Sequence, residues 1–192
     1  MKTNALFLAM AATLFFSFIP VESATWSVDK THARLGFSVS HLMVSEMDGS
    51  FKKFDATITG SEDDFSDAVV TLTADVNSID TDNEQRDAHL KNADFFDAEK
   101  YPAIAFKSSS FKKAGEKKYK VTGDLTMRGV TKTIVLDATY NTGVHPMTKN
   151  TIAGFKVTGV VKRSDFGVGT SFLANMIGDE VSLVANAEFI RN

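Results

Sequence analysis

Apolar and polar residues alternate with a period of two along most of the chain, the signature of strands with one buried face. Leu35, Phe37, Val39 and His41 share one face, and Arg34, Gly36, Ser38 and Ser40 the other. Similar rows run through Ala56 and Ile58, then Val70 to Val76, then Ile104 and Phe106. Others follow at Tyr119 to Met127, Ile134 to Tyr140, Ala153 to Val161 and Val181 to Phe189. The pattern predicts eight strands, most of them apolar on one side only, as in antiparallel sheets. Eight such strands close into a barrel, which removes exposed edges, or stack as a sandwich. Periodicity does not choose between them.

Two stretches break the alternation. Over 80–97 Asp82 is a candidate helix cap and Leu90 closes a short turn before Phe95 and Phe96, so a short helical insertion is expected around 82–97. The other, Ser164 to Asp179, is Gly-rich yet carries Phe166, Phe172, Leu173, Met176 and Ile177. Apolar loops of that length usually cover something.

The start of the chain differs from the rest. Lys2 precedes an apolar or small run from Ala5 to Ile19, broken only by Thr13 and Ser17. Pro20 ends it, and Val21-Glu22-Ser23 fits a cut before Ala24. This is the pattern of a secretory signal peptide over 1–23, leaving a single domain over 24–192 in the periplasm or outside the cell. The run falls short of the ~20 residues that span a bilayer.

Composition narrows the function. The chain has 192 residues, 43 % hydrophobic and 23 % charged, the balance of a globular domain. Net charge is −3, with no basic excess for nucleic acid. Cysteine is absent, which removes disulfides, thiolate metal sites and Cys nucleophiles together. Phe is abundant, at 16 residues. The polar strand faces carry Lys107, Lys120, Asp124, Asp137, Lys156, Lys162 and Glu188. Facing those to lipid would cost ~2–4 kcal/mol for each Lys at the bilayer midplane. The apolar face is therefore the interior of a water-soluble barrel without stable membrane insertion. Eight strands enclose a space that side chains fill or that one small ligand occupies, and small inward residues such as Ala56, Gly123, Ala138 and Ala185 suit either outcome.

Few residues nominate chemistry. His32, His41 and His89 are candidate metal ligands with Asp29 or Asp87, but no HExxH spacing is present. No GxSxG elbow, P-loop or GxGxxG follows a strand. On a helix, Asn83, Arg86, Asp87 and Leu90 share one side, as an Arg–Asp pair or as a polar rim for a ligand headgroup. Arg163 falls on an inward row and requires a partner, with Asp165 or Asp87 as candidates.

In order along the chain, several short motifs resemble the YceI-like proteins, a bacterial lipocalin-like family that binds polyisoprenoids. They are Trp26-Ser27-Val28-Asp29 with His32, Leu35-Gly36-Phe37 and His41, then Gly49, Phe51 and Phe54. Next come Ser78, Thr81, Asn83, Arg86-Asp87, His89-Leu90, Phe95-Phe96-Asp97, Tyr101-Pro102 and Phe106. Gly123-Asp124-Leu125-Thr126, Gly129-Val130-Thr131-Lys132 and Arg163-Ser164-Asp165-Phe166-Gly167 complete the series. Ala33 departs from it, where Ser or Thr is common in the family. The resemblance implies an all-β, extended eight-stranded antiparallel lipocalin-like barrel, holding a long isoprenoid or other amphiphilic lipid without a cofactor or catalytic group. Tail contacts are then expected at Phe37, Val39, Phe54, Val76, Phe106, Leu125, Phe155, Phe166, Phe172, Met176 and Leu183. Headgroup or rim contacts are expected at His41, Asn83, Arg86 and Arg163. Transport or storage of the lipid is the expected role, and a homodimer is compatible with it. Two rivals stand beside this reading: a metal-dependent hydrolase or isomerase using His32, His41 and His89, and a structural barrel with a filled core.

Overall fold

A computed structural model describes residues 23–61 and 64–192. All of the expected leader but Ser23 lies outside the described residues. Ten strand segments form one antiparallel sheet: β1 (Ala24–His41), β2 (Ser45–Phe51), β3 (Phe54–Gly60), β4 (Val69–Asp75), β5 (Ile79–Asp80), β6 (Ala103–Gly115), β7 (Lys118–Met127), β8 (Val130–Val144), β9 (Thr151–Lys162) and β10 (Ile177–Arg191). Pairing of β10 with β1 closes the sheet. One helix, α1 (Glu84–Lys91), and two 3-10 turns complete the described structure.

The ten segments fill eight wall positions. β2 and β3 both run antiparallel to β1, one against its C-terminal half and the other against its N-terminal half. They are a single strand broken at Lys52 and Lys53. β4 and β5 are likewise one strand, interrupted by the 3-10 turn Val76–Ser78 and pairing with β3 and β2 respectively. The two breaks lie side by side. Ser78 accepts from Lys52 N–H through its carbonyl at 3.0 Å and from Lys53 N–H through its hydroxyl at 2.9 Å. Each wall position thus neighbours the next in sequence, an up-and-down barrel.

Alternation decides which side faces in. The interior rows, Val121 and Leu125 on β7 and Ile134 and Leu136 on β8, lie side by side on the inner face, while Lys120 pairs with Asp137 at 2.6 Å on the outside. Burying the charged row instead would cost several kcal/mol per ion. The hairpin from β7 to β8 turns at Arg128 and Gly129, with φ of 51° and 74°. Those are the conformations that match a two-residue turn to strand twist.

Irregular stretches cover both ends of the barrel. At one end Phe65, only 2 % exposed, lies among Trp26, Tyr140 and Phe155 with ring centroids 5.1–5.2 Å away. Tyr119 ties that loop to β7, its hydroxyl donating to the Asp64 carbonyl at 2.6 Å. At the other end, the two stretches that break the alternation pack on each other. Phe95 and Phe172 stack at 5.0 Å, and Gly169 N–H donates to the Asp94 carbonyl at 3.0 Å. Gly169 is required there: its φ is 59°, and an added Cβ would lie 2.7 Å from the Phe95 ring.

Small inward residues make room for large ones. A Cβ on Gly123 would sit 2.5 Å from the Phe106 ring and 2.6 Å from the Lys107 carbonyl oxygen. Since the carbonyl belongs to the wall itself, neither contact relaxes freely. Gly123→Ala should destabilise the barrel by about 1–3 kcal/mol, the usual cost of overpacking. Urea unfolding of the variant measures this, and an unchanged midpoint would contradict the packing described.

Candidate functional site

An apolar cavity of about 250 Å³ runs inside the barrel. On β10 its lining extends from Ile177 to Phe189, about 40 Å of strand at about 3.3 Å per residue. With the tilt usual in barrels, that corresponds to a depth of about 30 Å. The interior is therefore not packed solid. Of the expected tail contacts, Phe37, Val39, Phe54, Phe106, Leu125, Phe155 and Leu183 line it.

Other expected contacts lie elsewhere. Val76 is not on a strand row: the 3-10 turn takes it into the packed core, where it is 1 % exposed. Phe166 is equally buried, within the irregular stretch between β9 and β10 that forms the lid of this end, and Phe172 lies in the same stretch against Phe95 and His89. Met176 is 45 % exposed, its carbonyl accepting from Leu42 N–H at 2.9 Å. None of these four lines the cavity. Val76 falls on a period-two row that the turn interrupts, and the other three sit in a stretch without alternation, where apolar content sets no direction. Leu90, Phe95 and Phe96 do line the cavity from the irregular segment. Their apolar character is visible in the sequence, but nothing there aims them inward.

The expected rim residues follow a similar division. His41 is exposed at the end of β1. Asn83, and not Asp82, caps α1, accepting from Arg86 N–H at 2.9 Å. Asp82 instead takes a φ of 58° before the cap. The expected Arg86–Asp87 pair is replaced by a shared partner, Thr81. Arg86 donates from Nε to the Thr81 hydroxyl at 2.8 Å and from Nη2 to the Thr81 carbonyl at 2.5 Å. Asp87 accepts from Thr81 N–H at 2.9 Å and from its hydroxyl at 2.5 Å. These contacts fasten α1 to the end of β5.

Among the described residues Arg163 is the one polar side chain on the cavity lining, and it is 6 % exposed. Neither Asp165 nor Asp87 pairs with it. Its five N–H groups go to backbone carbonyls of the lid and of the start of β10 instead: Gly178 at 3.0 Å, Val168 at 3.1 Å, Phe172 at 2.8 Å, Ile177 at 2.9 Å, and Gly169. Carbonyl oxygens carry partial negative charge, so five of them solvate a guanidinium without a buried carboxylate. Burial opposes ionisation of Asp179, but hydrogen bonds from the Ser164 hydroxyl at 2.8 Å and N–H at 3.0 Å, with the nearby charges of Arg163 and Lys162, hold its carboxyl below the usual carboxylate value. No N–H of Arg163 remains for a ligand.

The three candidate metal ligands do not converge. His32 and His41 occupy distant points of the same extended strand. His89 lies on α1 against the Phe95 ring, 3.5 Å from Asp94. Among the described residues, Asp29, His32 and Glu188 do bring ligand atoms within 4.8 Å of one another. There His32 Nδ1 already meets Asp29 at 2.9 Å, in the open. That hydrogen bond, followed by those from Thr31, holds the Asp29 carboxyl well below the usual carboxylate range. The same contact raises the His32 imidazole.

A family model described as the YceI-like domain matches residues 26–189. UPF0312 proteins of Staphylococcus aureus are 37 % identical over 170 residues, spanning 85 % of this chain and 96 % of theirs. The crystal structure of Burkholderia cenocepacia BcnA is similar with a TM-score of 0.75 and 28 % identity, over 84 % of this chain and 98 % of that one. A Campylobacter jejuni YceI protein gives 0.73 and 31 %, over 96 % and 99 %. A polyisoprenoid-binding domain from Saccharophagus degradans gives 0.64 over 87 % and 98 %, and at 17 % identity it shows a shared fold alone.

Two outcomes test the site's construction. Arg163→Met removes the donors of five carbonyls and should cost at least about 3 kcal/mol in urea unfolding, with Arg163→Lys intermediate. For the surface pair, the lowered Asp29 contributes stability that is lost as pH falls, and the raised His32 contributes stability that is lost as pH rises through its folded pKa. Asp29→Asn should therefore matter most near pH ~5, between the ordinary carboxylate and imidazole values. In an NMR titration His32 should ionise above the ordinary imidazole value and return toward it in Asp29→Asn.

Proposed function

The chain belongs to the YceI-like family, and on that footing we propose that it binds the tail of a long-chain amphiphile, a polyisoprenoid or similar lipid, inside the barrel. The observation that carries this reading is an elongated cavity lined by carbon, whose one polar side chain has every donor engaged. Such a space offers no group to take or give a proton. It offers desolvation. Burying about ten to fifteen tail carbons releases about 8–12 kcal/mol gross at about 0.8 kcal/mol per methylene. Association and ordering costs offset much of that, and micromolar binding remains within reach. The reading is of a binding protein that carries or stores its ligand, acting after export and removal of residues 1–23.

The Saccharophagus domain, alike in fold, is named for binding polyisoprenoids, and a tail of that chemistry suits this carbon-lined cavity. Selectivity would follow from cavity length and from whatever polar groups border its opening.

Native mass spectrometry of the protein purified from its own host should show a bound long-chain lipid. Ala185 lines the cavity wall and is the place to fill it. Ala185→Trp should weaken binding of a polyprenol probe by at least tenfold while the far-ultraviolet circular dichroism stays unchanged. A protein that is always empty and ignores the probe would end this proposal.

A further inference from the structure

An amphiphile needs a way in and a place for its polar head, and the ends of this barrel offer neither readily. One is covered by Phe65 among its aromatic neighbours, the other by the lid that Arg163 holds. The barrel wall, however, has a gap. The ladder between β1 and β3 runs from Ala24 to Ser27, and β1 resumes pairing, with β2, only at Leu35. Between these points β1 bulges at Lys30 to His32, out of register with β10 as well. Opposite lies the break at Lys52 and Lys53. An exposed Lys30–Asp55 ion pair, 3.0 Å long, reaches across.

A polar recess occupies this gap. Four cationic side chains border it: Lys30, Arg34, Lys52 and Lys53. Lys30 is matched by Asp55, and Lys52 by Asp80 at 3.1 Å. Arg34 and Lys53 have no ion-pair partner among the described residues, so the recess keeps a positive excess. Ser50 also borders it, 5 % exposed, its hydroxyl making no hydrogen bond to another described residue. Phe51 and Phe54 line both this recess and the apolar cavity. Two rings thus separate a cationic depression in water from a carbon-lined interior.

We propose that this gap is a lateral portal, and that Arg34 and Lys53, with Ser50, hold the anionic head of the ligand, a carboxylate or a phosphate, while its tail passes Phe51 and Phe54 into the cavity. The proposal rests on the lipid-binding reading and adds the head chemistry and the route. Lost ladder bonds make this the stretch of wall that parts at least cost. The cations favour a head left outside, where desolvation is avoided.

The test compares a saturated C16 fatty acid, the C16 monoalkyl phosphate and the C16 alcohol. At low ionic strength at least one anionic probe should bind the wild type at least tenfold more tightly than the alcohol. In the exposed double variant Arg34→Glu/Lys53→Glu that preference should disappear, with alcohol affinity changed less than twofold. Preference for the acid or for the phosphate identifies the head. Alcohol binding with no anionic preference, or a preference that survives in the variant, overturns the head site and leaves the cavity reading standing. Failure of every probe to bind overturns both. For the route, the chain's lack of native cysteine allows Ala33→Cys and Lys53→Cys to be bridged by a short bis-maleimide. Alcohol uptake should slow at least tenfold relative to the unbridged variant, and an unchanged rate overturns the portal.

Discussion

Closure of β10 onto β1 is the constraint on which the rest of the molecule depends. Left open, the sheet would present its inward Val, Leu and Phe row to water along its whole length. It would also expose two unpaired edges. Once it closes, the same row becomes a shared interior, and each inward side chain is shielded by the seven other wall positions. β1 does this at both edges at once, pairing with β10 on one side and with β2 and β3 on the other. The two registers differ by an insertion, and β1 absorbs it as a bulge at Lys30 to His32. The bulge is held by Asp29, which accepts from the N–H and the hydroxyl of Thr31 and meets His32.

The gap in the wall is a consequence of that same compromise. A strand cannot follow two partners whose registers disagree without releasing one of them for a few residues. The release coincides with the break at Lys52 and Lys53 and with the 3-10 turn of Val76–Ser78. Three irregularities in three neighbouring strands therefore fall at one level of the barrel, and polar, cationic side chains occupy it. The lid shows a different solution to irregular backbone. Its carbonyls turn inward around one guanidinium, so a loop that no ladder could satisfy is bonded by a single side chain. Arg128 adds a second clasp, donating to the Gly167 carbonyl and to Ala93 at 2.7 Å.

Such a barrel is suited to holding a flexible apolar chain. Dispersion and desolvation are non-directional. A tail therefore needs only length and carbon around it, and the lining supplies both. Small residues set where the space lies. Gly123 and Gly159 admit the Phe106 ring and the Leu136 side chain from adjacent strands, while Ala185 and Ala187 leave room on β10.

The sequence by itself determined the strands, their inward rows and the apolar interior, because period-two alternation is a local property that survives into the sheet. Rows on long strands placed Phe37, Phe106, Leu125 and Leu183 on the cavity wall. Ordered motifs pointed to the family, since each marks a turn, cap or buried contact of one fold. Tertiary structure alone decided what the irregular stretches do. The partners of Arg163 are carbonyls ten or more residues away in part, and no side-chain pattern encodes where a carbonyl will point. Val76 ends a strand row at a 3-10 turn, and Phe166, Phe172 and Met176 are apolar residues of a stretch without alternation, so backbone turns place all four. Whether the interior is filled or hollow depends on how small and large residues meet across the barrel, which is a property of register and not of any one strand.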